Sequence, residues 1–194
     1  MRLHWIWFAA ILALAAPVMA QTPGEIGVTY DWMHANAPVA ECGCFSLNGG
    51  GVEAAWKLDE RFALAAEAGA ARASGQDLTL ASYLAGPRLH LLSDKKSRGT
   101  RMDPYAQMLL GGAHAGGPLA GVISRSSNSF ALRVGGGLNL RLNESWSVRL
   151  FEVDYLLTLL PNGVNDHQNI VLVNGGLLFR FGKGNRGSHL VPVP

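Results

Sequence analysis

Charge is scarce in this sequence. Asp, Glu, Lys and Arg make up 15% of its 194 residues, where an average soluble domain carries about 25%. The 16 basic and 14 acidic residues nearly cancel, leaving a formal charge of +2. No cationic stripe of the kind that grips phosphates is present, so nucleic acid is excluded as a partner. Cysteine is scarcer still. With two residues of that type, no disulfide scaffold can be built. After Ala20 there is also no run of about 18 apolar residues, which excludes a helical membrane span in the remainder. What is plentiful is apolar surface, at 48% of residues, and glycine, at 24 residues. A chain this apolar is not disordered. Its length suits one domain.

The first twenty residues, MRLHWIWFAAILALAAPVMA, read as a secretory signal. Arg2 is the only charge, an apolar run starts at Trp5, and Val18-Met19-Ala20 ends on a small residue. A basic start, a short apolar core and a small-residue cleavage site define such a signal. Pro17 breaks the run before it reaches the length of a membrane anchor. The expectation is export and cleavage after Ala20.

The rest alternates. In SFALRVGGGLNLRL, one face carries Phe130, Leu132, Val134, Leu138, Leu140 and Leu142, and the other carries Ser129, Arg133, Asn139 and Arg141. Successive side chains of a strand point to opposite faces, so a period of two means a strand. This one exceeds the usual strand of about 5–6 residues. It is long enough to cross a bilayer at a tilt, which takes about 9–11. The closing segment NIVLVNGGLLFRF repeats the pattern, with Val171, Val173, Leu177, Phe179 and Phe181 on one face. The opening segment sets Ile26, Val28, Tyr30 and Trp32 against Gly27, Thr29 and Asp31.

Eight such segments are predicted, at about 24–34, 45–57, 61–72, 77–92, 102–115, 128–142, 145–159 and 169–181. An even number of antiparallel strands closes a barrel with both termini on one side. The fold class is therefore all-β: an eight-stranded antiparallel up-and-down transmembrane β-barrel behind a cleavable signal peptide. The predicted organisation is 1–20 signal peptide, 21–181 barrel and 182–194 short periplasmic tail. Tight turns are predicted at 58–60 and 143–144, with a longer basic turn in SDKKSRGTR. In SWSVRLFEVDYLLTLL the apolar phase changes after Leu150, which predicts a β-bulge at Leu150–Phe151. Trp56, Phe62, Trp146, Phe179 and Phe181 near one set of strand ends, and Tyr30, Trp32 and Phe130 near the other, fit two interfacial belts.

The face opposite the apolar one carries Asp31, Glu53, Glu67, Glu152 and Asp154 against Arg88, Arg133, Arg141, Arg149 and Arg180. An eight-stranded barrel has an interior just wide enough for side chains to fill it. Buried charges must pair. A salt-bridged polar interior follows, with arginine forks on carboxylates. The architectural rival is a soluble barrel with the faces reversed.

The chain resembles the OmpA/OmpX-type family of small eight-stranded bacterial outer-membrane barrels. The residues that carry the likeness are the signal peptide, Gly86-Pro87-Arg88, the PYAQ strand from Pro104, Val153-Asp154-Tyr155 and the closing LLFRF ending at Phe181. The resemblance implies residence in the outer membrane of a Gram-negative-type bacterium, contact with outer-membrane lipid, and insertion by the barrel-assembly machinery. It also implies a structural, surface-interaction or adhesive role without a catalytic site or cofactor, and an extracellular ligand at the outer loops. Family chains typically end on an aromatic residue, whereas here thirteen residues follow Phe181. A narrow small-solute channel and a lipid-modifying enzyme remain the alternatives.

Candidate chemistry beyond the charges is sparse. Cys42 and Cys44 in the first outer loop suit a disulfide in an oxidising compartment. His34, His90, His114 and His167 are scattered, and no metal site is expected from them. The glycine runs GGGV and GGGLNL lie inside strands and do not form phosphate loops.

Overall fold

The computed structural model describes residues 23–35, 45–73, 78–116, 126–160 and 167–182, apart from the side chains at 94, 95 and 98. Cys42 and Cys44, the signal segment and the tail lie outside the described residues.

Eight strands run in chain order: β1 Gly24–Ala35, β2 Phe45–Lys57, β3 Phe62–Ala73, β4 Thr79–His90, β5 Met102–Gly116, β6 Ser126–Arg141, β7 Trp146–Thr158 and β8 Gln168–Phe181. Each pairs antiparallel with its neighbour in sequence, and β1 pairs with β8 from Gly24↔Phe181 to Ala35↔Ile170, so the barrel is closed. Closure leaves no unpaired edge. The shortest strands have 12 residues and the longest 16, enough to cross a hydrocarbon layer.

The period of two reads directly as inside and outside. Along β7, Ser147, Arg149, Glu152, Asp154, Leu156 and Thr158 are buried while Leu150, Phe151, Val153 and Tyr155 are exposed. The phase change has a structural cause. Arg149 pairs with Gly176 and Glu152 with Asn174, so Leu150 and Phe151 together oppose the one residue between them, Gly175. This is a β-bulge at the predicted place. It turns both Leu150 and Phe151 outward and returns Arg149, Glu152 and Asp154 to the inside.

The outer surface is apolar. Val28 is 58% exposed, Val52 58%, Val153 47% and Leu177 42%. A continuous ring of this kind around a water-soluble protein would far exceed the apolar patches that monomers tolerate; around a membrane barrel it is the lipid face. Aromatic residues sit at the strand ends. Trp146 and Phe179 meet edge to face at 5.1 Å, and Trp32 stacks on His34 at 5.7 Å.

The end of the barrel that carries Gly24 and Phe181 is called proximal here, and the opposite end distal. Two of the three proximal connections are tight and share one device. Asp59 Oδ1 accepts hydrogen bonds from the Arg61 and Phe62 amides at 2.6 and 2.7 Å. Asn143 Oδ1 does the same for Ser145 and Trp146 at 2.9 and 2.8 Å. Both are Asx turns, in which a short side chain stands in for backbone. The two amide bonds hold the exposed Asp59 carboxyl below its ordinary range. The third connection is the longer basic one expected of SDKKSRGTR. It contains a short helix, α1, Asp94–Thr100, closed by Arg101 in the left-handed region at φ 60°. A helical turn bonds its own backbone, as Ser97 N–H does to Ser93 O at 2.9 Å, where a loop of this length would need other partners.

Candidate functional site

The interior holds the only clustered chemistry among the described residues, and it begins with an apparent fault. Glu53 on β2 stands directly opposite Glu67 on β3, and like charges in that register repel. Arg88, three strands' breadth from β1 and fully buried, removes the conflict. Its Nη2 lies 3.1 Å from Glu53 and 3.2 Å from Glu67, and its Nη1 lies 3.0 Å from Glu25. Its Nε donates to Gln107 Oε1 at 2.9 Å. The Gln107 amide then donates to Glu67 at 3.2 Å. All five guanidinium hydrogens are directed at acceptors, the arrangement that makes a buried arginine tolerable.

Two further arginines complete the layer. Arg133 on β6 reaches Glu67 at 2.6 Å and donates from Nε to Asp154 at 2.6 Å, and it also contacts Glu152. Gly135, one inward position along, makes this possible, since a Cβ there would strike Asp154 and the Val153 carbonyl. Arg149 on β7 bonds Glu53 at 2.6 Å and Glu152 at 3.1 Å. Tyr105 lies between Arg88 and Arg149, whose guanidinium carbons sit 4.6 and 5.3 Å from its ring centre, and its hydroxyl donates to Glu152. Flat cations over an aromatic face gain from the ring quadrupole. Asn174 donates to Glu152 at 2.8 Å.

Two of the ten residues singled out from the sequence lie elsewhere. Arg141 is 3.6 Å from Asp103 near the proximal end, where His90 Nδ1 also meets Asp103 at 2.9 Å. Arg180 donates to the Asn143 carbonyl at the proximal rim. The expected balance of five against five therefore becomes, around the three central arginines, Glu25, Asp31, Glu53, Glu67, Glu152 and Asp154 against Arg88, Arg133 and Arg149. The reason is the stagger of the strands, which sets Arg141 and Arg180 below the other three.

Residues that the sequence reading passed over also take part: Glu25, Asp103, Tyr105, Gln107, Asn139 and Asn174, all buried. Their signal was available. Glu25 shares parity with Asp31, and Asp103 with Tyr105 and Gln107.

A second correction concerns the distal half. The interior was expected to be polar throughout. Instead Met33, Leu47, Leu80, Leu84, Leu109, Leu156, Ile170 and Leu172 pack there with alanines from β1, β3, β5 and β6, each 5% exposed or less. A small opening in this layer is lined by Ala35, Phe45, Leu47, Leu160 and Ile170 among others. The interior is thus an ion-paired layer with an apolar layer stacked on it.

The comparisons match this geometry. No family model matches the chain, and no curated protein matches it in sequence. Solved structures do. The chain is similar to Neisserial surface protein A, with a TM-score of 0.62 at 15% identity, covering 81% of this chain and 97% of that one. It is similar to Ail, the attachment invasion locus protein of Yersinia pestis, solved with the heparin analogue sucrose octasulfate. There the TM-score is 0.57 at 14% identity, over 83% of this chain and 99% of that one. The outer membrane protein OprG of Pseudomonas aeruginosa gives 0.50 at 14% identity, over 84% and 98%. The fold is that of the small eight-stranded outer-membrane β-barrels.

Proposed function

We propose that the protein is an integral outer-membrane barrel with a structural and surface-contacting role, a closed interior and no catalytic site. The observation that carries this reading is the stacked interior. An ion-paired layer below and a leucine-rich layer above each oppose the passage of what the other would admit. In this reading residues 1–20 direct export, the barrel-assembly machinery inserts 21–181, residues 182–194 form a periplasmic tail, and the distal loops face outward.

The loops then supply the contact surface. Their sequences at 36–44, 74–77, 117–125 and 161–166 carry one basic residue, Arg125, against Glu41, Asp77 and Asp166. That composition supports a ligand other than a polyanion such as the heparin analogue bound by Ail. Planar-bilayer recording of the refolded protein tests the closed interior: no steady conductance is expected, and reproducible open-channel steps would overturn it. A second reading, entry of a small apolar solute at the distal end, is favoured by the opening beside Phe45 and Leu160. Uptake of an apolar dye into vesicles that hold the barrel, above that of empty vesicles, would select it.

A further inference from the structure

The proximal connections do not share their charge evenly. The one between β4 and β5, which holds α1, carries Lys95, Lys96, Arg98 and Arg101 against Asp94. The other two lean the opposite way, with Asp59 and Glu60 against Arg61 in one and Glu144 alone in the other. Positive charge in these connections is thus gathered on one side of the barrel.

Two features set this side apart from a solvated turn. Its backbone is fixed: Thr100 Oγ donates to the Lys96 carbonyl at 3.1 Å, and the Arg101 carbonyl accepts from the Arg141 amide of β6 at 2.8 Å. Arg101 is held there in the left-handed region at φ 60°, a conformation that costs a residue with a Cβ. Lys96 and Arg101 are both exposed, so their charges stand outward on an ordered base. The wall beside them is apolar. Leu91, Met102 and Leu142, next to the proximal ends of β4, β5 and β6, are 53%, 48% and 51% exposed.

Cations above an apolar shelf suit a molecule that joins a fixed negative charge to hydrocarbon chains. We propose that this side of the rim binds an anionic glycerophospholipid, its phosphate on Lys96 and Arg101 and its chains along Leu91, Met102 and Leu142. The arginine fork matches a phosphate with two parallel hydrogen bonds. Each Lys or Arg beside an anionic lipid surface is worth about fivefold in binding. The site rests on the outer-membrane reading, in which the proximal rim meets the periplasmic leaflet, but lipid retention in micelles reads it whichever way the barrel inserts and whether or not it conducts.

Phosphatidylglycerol is the probe. The refolded protein is incubated in neutral detergent with equal amounts of phosphatidylglycerol and phosphatidylcholine, repurified, and its retained lipid counted by native mass spectrometry. The expected result is about tenfold more phosphatidylglycerol than phosphatidylcholine, a preference that shrinks several-fold in molar salt. Lys96→Gln with Arg101→Gln should bring the ratio close to one, whereas Arg61→Gln, on the connection between β2 and β3, should keep it. Should the double variant fail to refold, Lys96→Gln with Arg101→Gly takes its place, because glycine adopts φ 60° without strain. Equal retention of the two lipids by the unaltered protein, an unchanged ratio in the double variant, or the same loss in Arg61→Gln overturns the proposal. So does displacement of the lipid by soluble glycerophosphate or by peptidoglycan fragments: the first would make the patch a site for free anions, the second a cell-wall contact.

Discussion

Arg149 and Glu53 meet at 2.6 Å inside the barrel although 96 positions separate them in the chain. Neither strand neighbours the other. β7 and β2 face each other only because β1 and β8 close the sheet, so this contact exists in the closed barrel and nowhere else. Both side chains are fully enclosed, at 0% and 1% exposure. Removing one partner therefore strands a charge. Glu53→Ala should cost about 3–5 kcal/mol in unfolding free energy. Glu53→Gln with Arg149→Met should cost less than the sum of the two single changes, with a coupling of about 0.5–3 kcal/mol. Urea unfolding in lipid vesicles measures both. Strictly additive losses would mean that the pair contributes nothing as a pair.

The bulge at Leu150–Phe151 sets which side chains of β7 point inward. Deleting Leu150 would remove the extra residue and leave plain alternation, with Arg149 inward, Phe151 outward and Glu152 and Asp154 inward. Deleting both Leu150 and Phe151 would instead turn Glu152 and Asp154 toward lipid, where carboxylates are unfavourable, and Arg133 would lose its partners. The expected outcome is a heat-modifiable folded species from the single deletion and none from the double deletion in refolding trials. A normal gel shift from the double deletion would show that the register adapts.

Val153 lies near the middle of β7, outward and opposite Val173 of β8. Arginine at a midplane lipid-facing position costs about 2–4 kcal/mol and close to 0–1 kcal/mol at an interface. Val153→Arg should therefore destabilise the barrel by the larger amount, and Thr79→Arg at the distal end of β4 by the smaller. Refolding equilibria in vesicles distinguish them. Equal costs would contradict the depth assignment.

The exposed Asp59 turn carries a pH signature. Its carboxyl titrates below its ordinary value because the Arg61 and Phe62 amides bond the ionised form. A depressed folded value means that its contribution is complete above the unfolded value and fades as the pH falls through the folded one. Asp59→Asn retains an acceptor, as Asn143 does naturally in the other tight turn. The gap in stability between variant and unaltered protein should therefore be present at neutral pH and close in acid. Unfolding curves across the acid range check this, and a gap that widens on acidification would reverse the assignment.

Much of the barrel was legible in advance. The strands begin and end within two residues of their expected places, and the bulge lies where the phase of SWSVRLFEVDYLLTLL changes. The reason is physical: a strand's period of two projects burial directly onto sequence. The distal apolar layer was missed, yet it had a trace. Met108-Leu109-Leu110, Tyr155-Leu156-Leu157 and Val171-Leu172-Val173 are apolar on both faces, the mark of a strand enclosed by lipid outside and side chains inside. The helix α1 had no comparable trace, because seven residues are too few for a helical period to show.

The sequence by itself determined which residues form strands and which side of the wall each occupies, because both follow from alternation along one chain. It did not determine partners. Whether Arg88 serves Glu25, Glu53 and Glu67 together, whether Arg141 and Arg180 join that group, and whether Asp31 keeps an oxygen to itself were decided by closure and stagger. Those bring distant positions to one height inside the barrel, and height is set by the pairing of eight strands at once.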